Sequence, residues 1–185
     1  MVWLHHNDNA LEGVYLLSVS DDADPNGVWF NWVLPSNMNG NTPSNTWGDY
    51  QGVGFDDKAI YFTSNQFSFT SSYVGSKVRI IPKSQVYVNS NPGTITYTDL
   101  YNITYPIGGA NAFGIRPVRM QTAADGFYMV VHSPFVTKTN FGFYKISNPL
   151  SNTPTLTGVS VPVTAYSTPP DPDQLGGGSP KLDGG

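Results

Sequence analysis

Of the thirteen acidic side chains in this chain, twelve are aspartate and one, Glu12, is glutamate. Lysine and arginine together number nine. Aspartate, glycine and proline favour turns, whereas glutamate and lysine favour helices, so the charged residues best suited to a helix are nearly missing. Strand formers fill the gap: aromatic residues make 14% of the 185 positions, against a charged share of 12%. A helical bundle or coiled coil needs Ala, Leu, Glu and Lys in bulk and is excluded. The absence of cysteine excludes a disulfide scaffold. No apolar run approaches the roughly 18 residues of a membrane span, and no signal peptide is visible at the start. A net charge of −4 with scattered basic residues gives no footprint for nucleic acid. The expectation is an all-β protein of one domain, or part of one.

Period-2 alternation and turn punctuation divide the chain into three sets of strands. The first set reads Val2–His6, Gly13–Ser20 and Val28–Leu34, with a dense turn cluster from Asp21 to Gly27. Residues 35–48 are Pro, Ser, Asn, Gly and Thr with little to bury, and read as one long surface loop. The second set runs through Tyr50–Phe55, Ala59–Asn65, Ser76–Pro82 and Thr94–Ile103; Ser76–Pro82 alternates polar and apolar side chains like a half-buried strand. The third contains Gly114–Met120, Phe127–Ser133, Phe141–Ile146 and Leu156–Val163. From Tyr166 onward, Pro, Gly and Asp dominate, as in a linker or a disordered end.

The second and third sets repeat a plan. A turn at Asp56-Asp57 precedes Ala59-Ile60-Tyr61, and a turn at Asp125-Gly126 precedes Phe127-Tyr128-Met129, roughly 65 residues later. In each, a short Gly-containing strand leads into an aromatic-rich one, and a chain with one outward-facing basic residue follows. Four antiparallel strands repeated in this way describe the blades of a β-propeller. A β-sandwich would show even spacing without the grouping. The expected blades cover about 1–46, 47–108 and 109–165, and residues 166–185 form a tail or a connection.

The residues that carry a family resemblance are Asp24-Pro25-Asn26-Gly27-Val28-Trp29-Phe30, Trp47-Gly48-Asp49-Tyr50-Gln51-Gly52-Val53-Gly54-Phe55 and Ala59-Ile60-Tyr61-Phe62-Thr63. Asn65-Gln66-Phe67 and Ser76-Lys77-Val78-Arg79-Ile80-Ile81-Pro82-Lys83 continue the pattern. Together they resemble a group of secreted bacterial and archaeal β-propeller proteins of mostly unassigned function, with sialidase-like blades. Gln51 stands where that group usually has proline. The resemblance implies an extracellular or cell-surface location and an incomplete propeller: the first blade lacks an inner strand before Val2, and the tail leads toward a further blade. Uncovered blade faces and strand edges imply a homo-oligomer, most simply a twofold dimer.

Ser20 to Trp29 resembles a widened Asp-box turn. In the structural reading Asp24 accepts backbone N–H bonds, Gly27 takes a positive φ and Trp29 packs between sheets. In the functional reading Asp21, Asp22 and Asp24 offer hard oxygens to calcium, without the spacing of an EF-hand loop. Trp47, Asp49 and Tyr50 start a blade's innermost strand beside the central channel, and Arg116 has the equivalent place in the next blade. A carboxylate, aromatic faces and a guanidinium at one mouth suit a sugar or carboxylate ligand. The alternative is that Asp49 pairs with Arg116 or with backbone amides to hold blades in register. His5 and His6 point to opposite faces of a strand, which argues against a metal shared between them and His132. Trp32, Tyr73 and Tyr101 are further rings that an exposed surface would offer to sugars.

No catalytic residue is identified. There is no G-x-S-x-G nucleophile motif, and a glycosidase pair would have to come from aspartates about 5–10 Å apart. The expected function is a non-enzymatic binding or interaction module, taking a glycan or another protein, with no cofactor unless calcium. The competing reading is a glycan-processing hydrolase of sialidase-like shape with an incomplete site.

Overall fold

The computed structural model describes residues 2–7, 9–88, 93–133, 138–167, 170, 172 and 173. Strands β1 (Val2–Asn7), β2 (Glu12–Ser20) and β3 (Trp29–Pro35) form a first antiparallel sheet in that order. A small hairpin follows, β4 (Met38–Asn39) with β5 (Thr42–Pro43). The second sheet is a four-stranded meander of β6 (Thr46–Phe55), β7 (Ala59–Ser68), β8 (Tyr73–Pro82) and β9 (Thr98–Tyr101). The third repeats it with β10 (Arg116–Pro117), β11 (Phe127–His132), β12 (Lys138–Ser147) and β13 (Thr155–Tyr166). The described residues contain no α-helix, and none long and apolar enough to cross a membrane. The molecule is all-β, as its aspartate-rich, glutamate-poor composition requires, and none of its sheets closes on itself.

The second sheet lies between the other two. On β7, Ile60 and Phe62 pack toward the first sheet with Tyr15, Leu17, Trp32 and Leu34. Ala59 and Tyr61 pack toward the third with Phe127, Met129, Val131 and Ile146. Ala59 through Gln66 is therefore buried without a break, the pattern of a strand covered on both faces. At the second interface the rings of Tyr61 and Phe127 stack with centroids 3.4 Å apart. Such a pair contributes about 0.5–1.5 kcal/mol beyond the area it buries. Asp56 shapes the turn into β7: its Oδ1 accepts the N–H groups of Lys58 and Ala59, and its Oδ2 accepts the Tyr61 hydroxyl.

Strand β8 departs most from the sequence reading. Val78 and Ile80 join the core toward the third sheet, but the alternating polar residues do not face water. Lys77 and Arg79 are both fully buried against the first sheet. Arg79 donates from Nε and Nη2 to the two oxygens of Asp99, each at 2.8 Å, the bidentate geometry that makes such pairs strong. Its guanidinium also lies 3.6 Å from the Tyr97 ring centre and donates to the Pro35 carbonyl. Lys77 donates to the carbonyls of Ser36 and Met38 at 2.8 and 2.6 Å. Burial pulls the Lys77 amine down to about 7, Asp99 opposing and Arg79 assisting.

These buried cations explain why residues 35–48 are not one surface loop. Their carbonyls are what Lys77 and Arg79 need, and Gly40 N–H donates to Asp99 at 2.8 Å. The segment is drawn in, with Ser36, Thr46 and Gly48 buried. Other expectations change as well. Of Thr94–Ile103 only Thr98–Tyr101 is a strand, and of Gly114–Met120 only Arg116–Pro117, since Pro117 has no N–H for a ladder. In the first sheet both β1 and β2 touch β6, and the sheet holds three strands, in the order β1-β2-β3. Trp32 is buried, its indole donating to the Gly93 carbonyl, while Tyr101 remains exposed. Strand β13 runs to Tyr166; most of the expected tail lies outside the described residues.

Candidate functional site

Strand β6 carries a bulge where its pairing with β7 jumps from Asp49 to Gly52. Tyr50 sits in it at φ +50°, a left-handed conformation that costs a non-glycine residue energy and is retained only where the surroundings enforce it. Asp49 Oδ1 supports it by accepting the Tyr50 N–H at 2.7 Å. The bulge turns the Tyr50 ring outward, where the Arg116 guanidinium covers it at 3.6 Å from the ring centre. Arg116 Nη1 also donates to the Tyr50 carbonyl at 3.4 Å.

Arg116 reaches this place because β10 runs close against β6. A Cβ on Gly52 would meet Pro117 Cδ at 2.7 Å, and one on Gly54 would meet Pro117 Cβ at 2.7 Å and the Val118 carbonyl. The Gly52-Val53-Gly54 sequence is thus what admits the neighbouring strand. From the other side, polar groups of β7 and β8 strap down the approach to β10. Thr63 donates to the Ile115 carbonyl and Asn65 Oδ1 accepts the Gly114 N–H. Ser76 and Tyr73 hydroxyls donate to the Ala112 carbonyl.

Tyr50 and Arg116 open onto a cavity of about 180 Å³ shared with Phe113, His132 and Phe141. Among the described residues its lining holds no Asp or Glu. A guanidinium on an aromatic face, with further rings beside it, is chemistry for a carboxylate or a sugar ring. The volume, below the roughly 300–1,000 Å³ of pockets for drug-sized ligands, suits one small group.

Of the four residues expected at this mouth, the structure brings together Tyr50 and Arg116. Among the described residues no ion pair joins Asp49 to Arg116; Asp49 is folded onto its own bulge. Trp47 stands apart, stacked between His6 at 4.0 Å and Phe67 at 5.6 Å. The ring contacts run on from Phe67 to Tyr73 and from Tyr73 to Phe113, so Trp47 connects with the cavity only through this aromatic row. His132 and Phe141 were not part of the expectation at this mouth: they come from the third sheet, and only the register that pairs His132 with Phe141 places them together.

The Asp-box turn is built from its own bonds. Ser20 donates to the Asp22 carbonyl, Asp22 Oδ1 accepts the Asp24 N–H, and Asp24 Oδ1 accepts both N–H groups of Asn26. The Trp29 indole donates to the Pro25 carbonyl. Gly27 does not take a positive φ; it is small because a Cβ there would meet Asp21 Oδ1 at 3.2 Å. Among the described residues no group of three or more His, Asp or Glu is placed to hold a metal ion. His132 lies apart from the His6–Trp47 stack, its Nδ1 2.9 Å from the Ser133 carbonyl. Comparison with known protein families, curated proteins and solved structures finds no match to this chain.

Proposed function

We propose that this chain is part of a secreted or cell-surface β-propeller that binds a ligand without transforming it, and that the ligand is a glycan bearing an acidic group. The observation that carries the reading is the Arg116 guanidinium spread over Tyr50 at the mouth of a ring-lined cavity with no carboxylate. A retaining or inverting hydrolase needs two carboxylates there. The propeller reading is supported by three meanders in sequence order stacked face to face, with β6 touching both β1 and β10. It is supported too by the far face of the third sheet, where Phe143, Val159 and Val161 are exposed; a further sheet or a second copy of the chain would cover them.

The test is saturation-transfer NMR with glucuronate and glucose as paired probes. Glucuronate is expected to bind, glucose to bind more weakly, and Arg116→Gln to erase the difference while the fold is kept. Equal binding of both sugars, or full glucuronate binding by Arg116→Gln, overturns the site. Release of reducing ends from oligosaccharides overturns the non-catalytic reading. Light scattering reads the oligomer, and a monodisperse monomer excludes it.

A further inference from the structure

The turn at Ser20–Trp29 and the end of the second sheet enclose a larger space, of about 410 Å³, within the roughly 300–1,000 Å³ typical of ligand pockets. Leu17 and Ile60, both nearly inaccessible, form its floor. Its walls are three rings: Trp29, Phe55 and Tyr87. Among the described residues Arg119 is the one charged side chain that lines it, and Lys83 holds its ammonium 5.0 Å from the Phe55 ring centre and 5.2 Å from that of Tyr87.

Each wall is fixed by backbone. The indole of Trp29 is held by the Pro25 carbonyl, which gives the Asp-rich turn a second task beyond closing β2 onto β3. Phe55 is clamped on both sides, its N–H donating to Val118 and its carbonyl accepting from Met120. The same two bonds set the place of Arg119 between them, in a parallel bridge to Phe55. Tyr87 follows the buried Val86, and both N–H groups donate to the Lys83 carbonyl. Tyr87 is nevertheless 62% exposed. Among the described residues no carboxylate pairs with Arg119 or Lys83. Of the nearby acids, Asp22 Oδ1 and Asp24 Oδ1 accept bonds within their own turn, and Asp21 Oδ1 is buried beside Gly27 without a hydrogen-bond partner.

An apolar floor, three aromatic walls and two cations without a carboxylate partner make a site of definite chemistry. We infer that this cavity binds a flat aromatic carboxylate, its rings between Trp29, Phe55 and Tyr87 and its anion on Arg119, with Lys83 adding charge. Aromatic walls favour a planar body, and a guanidinium favours a carboxylate through paired N–H bonds. The site is separate from the Arg116 mouth, and the proposal does not depend on that one.

The test is isothermal titration of the whole chain with 1-naphthoate and its uncharged analogue 1-naphthamide. Wild type is expected to bind naphthoate saturably and the amide about tenfold or more weakly, the scale of one charge-assisted contact. Arg119→Gln, at an exposed position, is expected to reduce naphthoate affinity to that of the amide and to leave the amide unchanged. Tyr87→Ala should weaken both probes. Arg116→Gln should change neither, which separates this proposal from the glycan-binding reading. The absence of saturable naphthoate binding by folded wild type overturns the inference. So does equal affinity for acid and amide, or an Arg119→Gln chain that binds naphthoate as wild type does.

Discussion

Replacing Asp99 with asparagine removes one charge from a buried set of three and keeps the shape. The two Asp99 oxygens accept three bonds at 2.8 Å, two from Arg79 and one from the Gly40 N–H. Asparagine has one oxygen, so its amide N–H₂ must face either the guanidinium or the Gly40 N–H, and one buried donor loses its acceptor. The Arg79 side chain is wholly inaccessible, so its charge would remain without its counter-ion. Breaking a buried pair from one side costs about 3–5 kcal/mol; the lost Gly40 bond is part of that figure rather than an addition. For a domain of this size each kcal/mol lowers the melting temperature by about 2–4 °C, which gives a drop of about 6–20 °C. Urea unfolding followed by tryptophan fluorescence should show the same loss as a lower midpoint with an unchanged slope. A companion variant, Arg79→Met with Asp99→Leu, should recover most of the stability, because the charge is removed together with its partner. A loss below about 1 kcal/mol in Asp99→Asn would refute the reasoning. A double variant as damaged as the single one would reassign the cost to packing.

Two other outcomes follow from the same contacts. With Lys77 brought down from 10.5 to about 7, the unfolded chain carries a proton between those values that the folded chain lacks. Stability should therefore rise with pH across that window, the burial cost being complete below about 7; urea midpoints compared with those of Lys77→Met isolate the rise, and parallel profiles would exclude it. Gly54→Ala would drive a methyl group into Pro117, the Val118 carbonyl and Phe127, at about 1–3 kcal/mol; thermal melts should register it, together with weaker glucuronate binding as β10 and Arg116 are pushed from β6.

The meanders were legible because their signals are local. Turns such as Asp56-Asp57-Lys58 and aromatic alternation in Phe127–His132 act within one sheet, and those strands form where the pattern puts them. The polar face of Ser76–Pro82 misled for a non-local reason. Alternation on β8 marks two faces, but which face meets water depends on a segment some forty residues earlier, whose bare carbonyls stand ready for Lys77 and Arg79. The site was legible to the same extent. Tyr50 and Arg116 belong to the first strands of two neighbouring sheets and meet; His132 and Phe141 reach the cavity through third-sheet register, which no spacing of residues announces. An available signal was Gly52-Val53-Gly54, since alternate glycines in a strand mark the close approach of another backbone.

Strand β7 bears on how the chain can be divided. The repeat looks modular in sequence, yet the middle unit has no face made for water. Residues 46–101 cut out alone would present Phe62 on one side and Tyr61 on the other. Such a piece would precipitate or pair with itself rather than persist as a small domain. Recombination, permutation or truncation must therefore keep all three sheets together, and the chain inherits change as one unit despite its threefold plan.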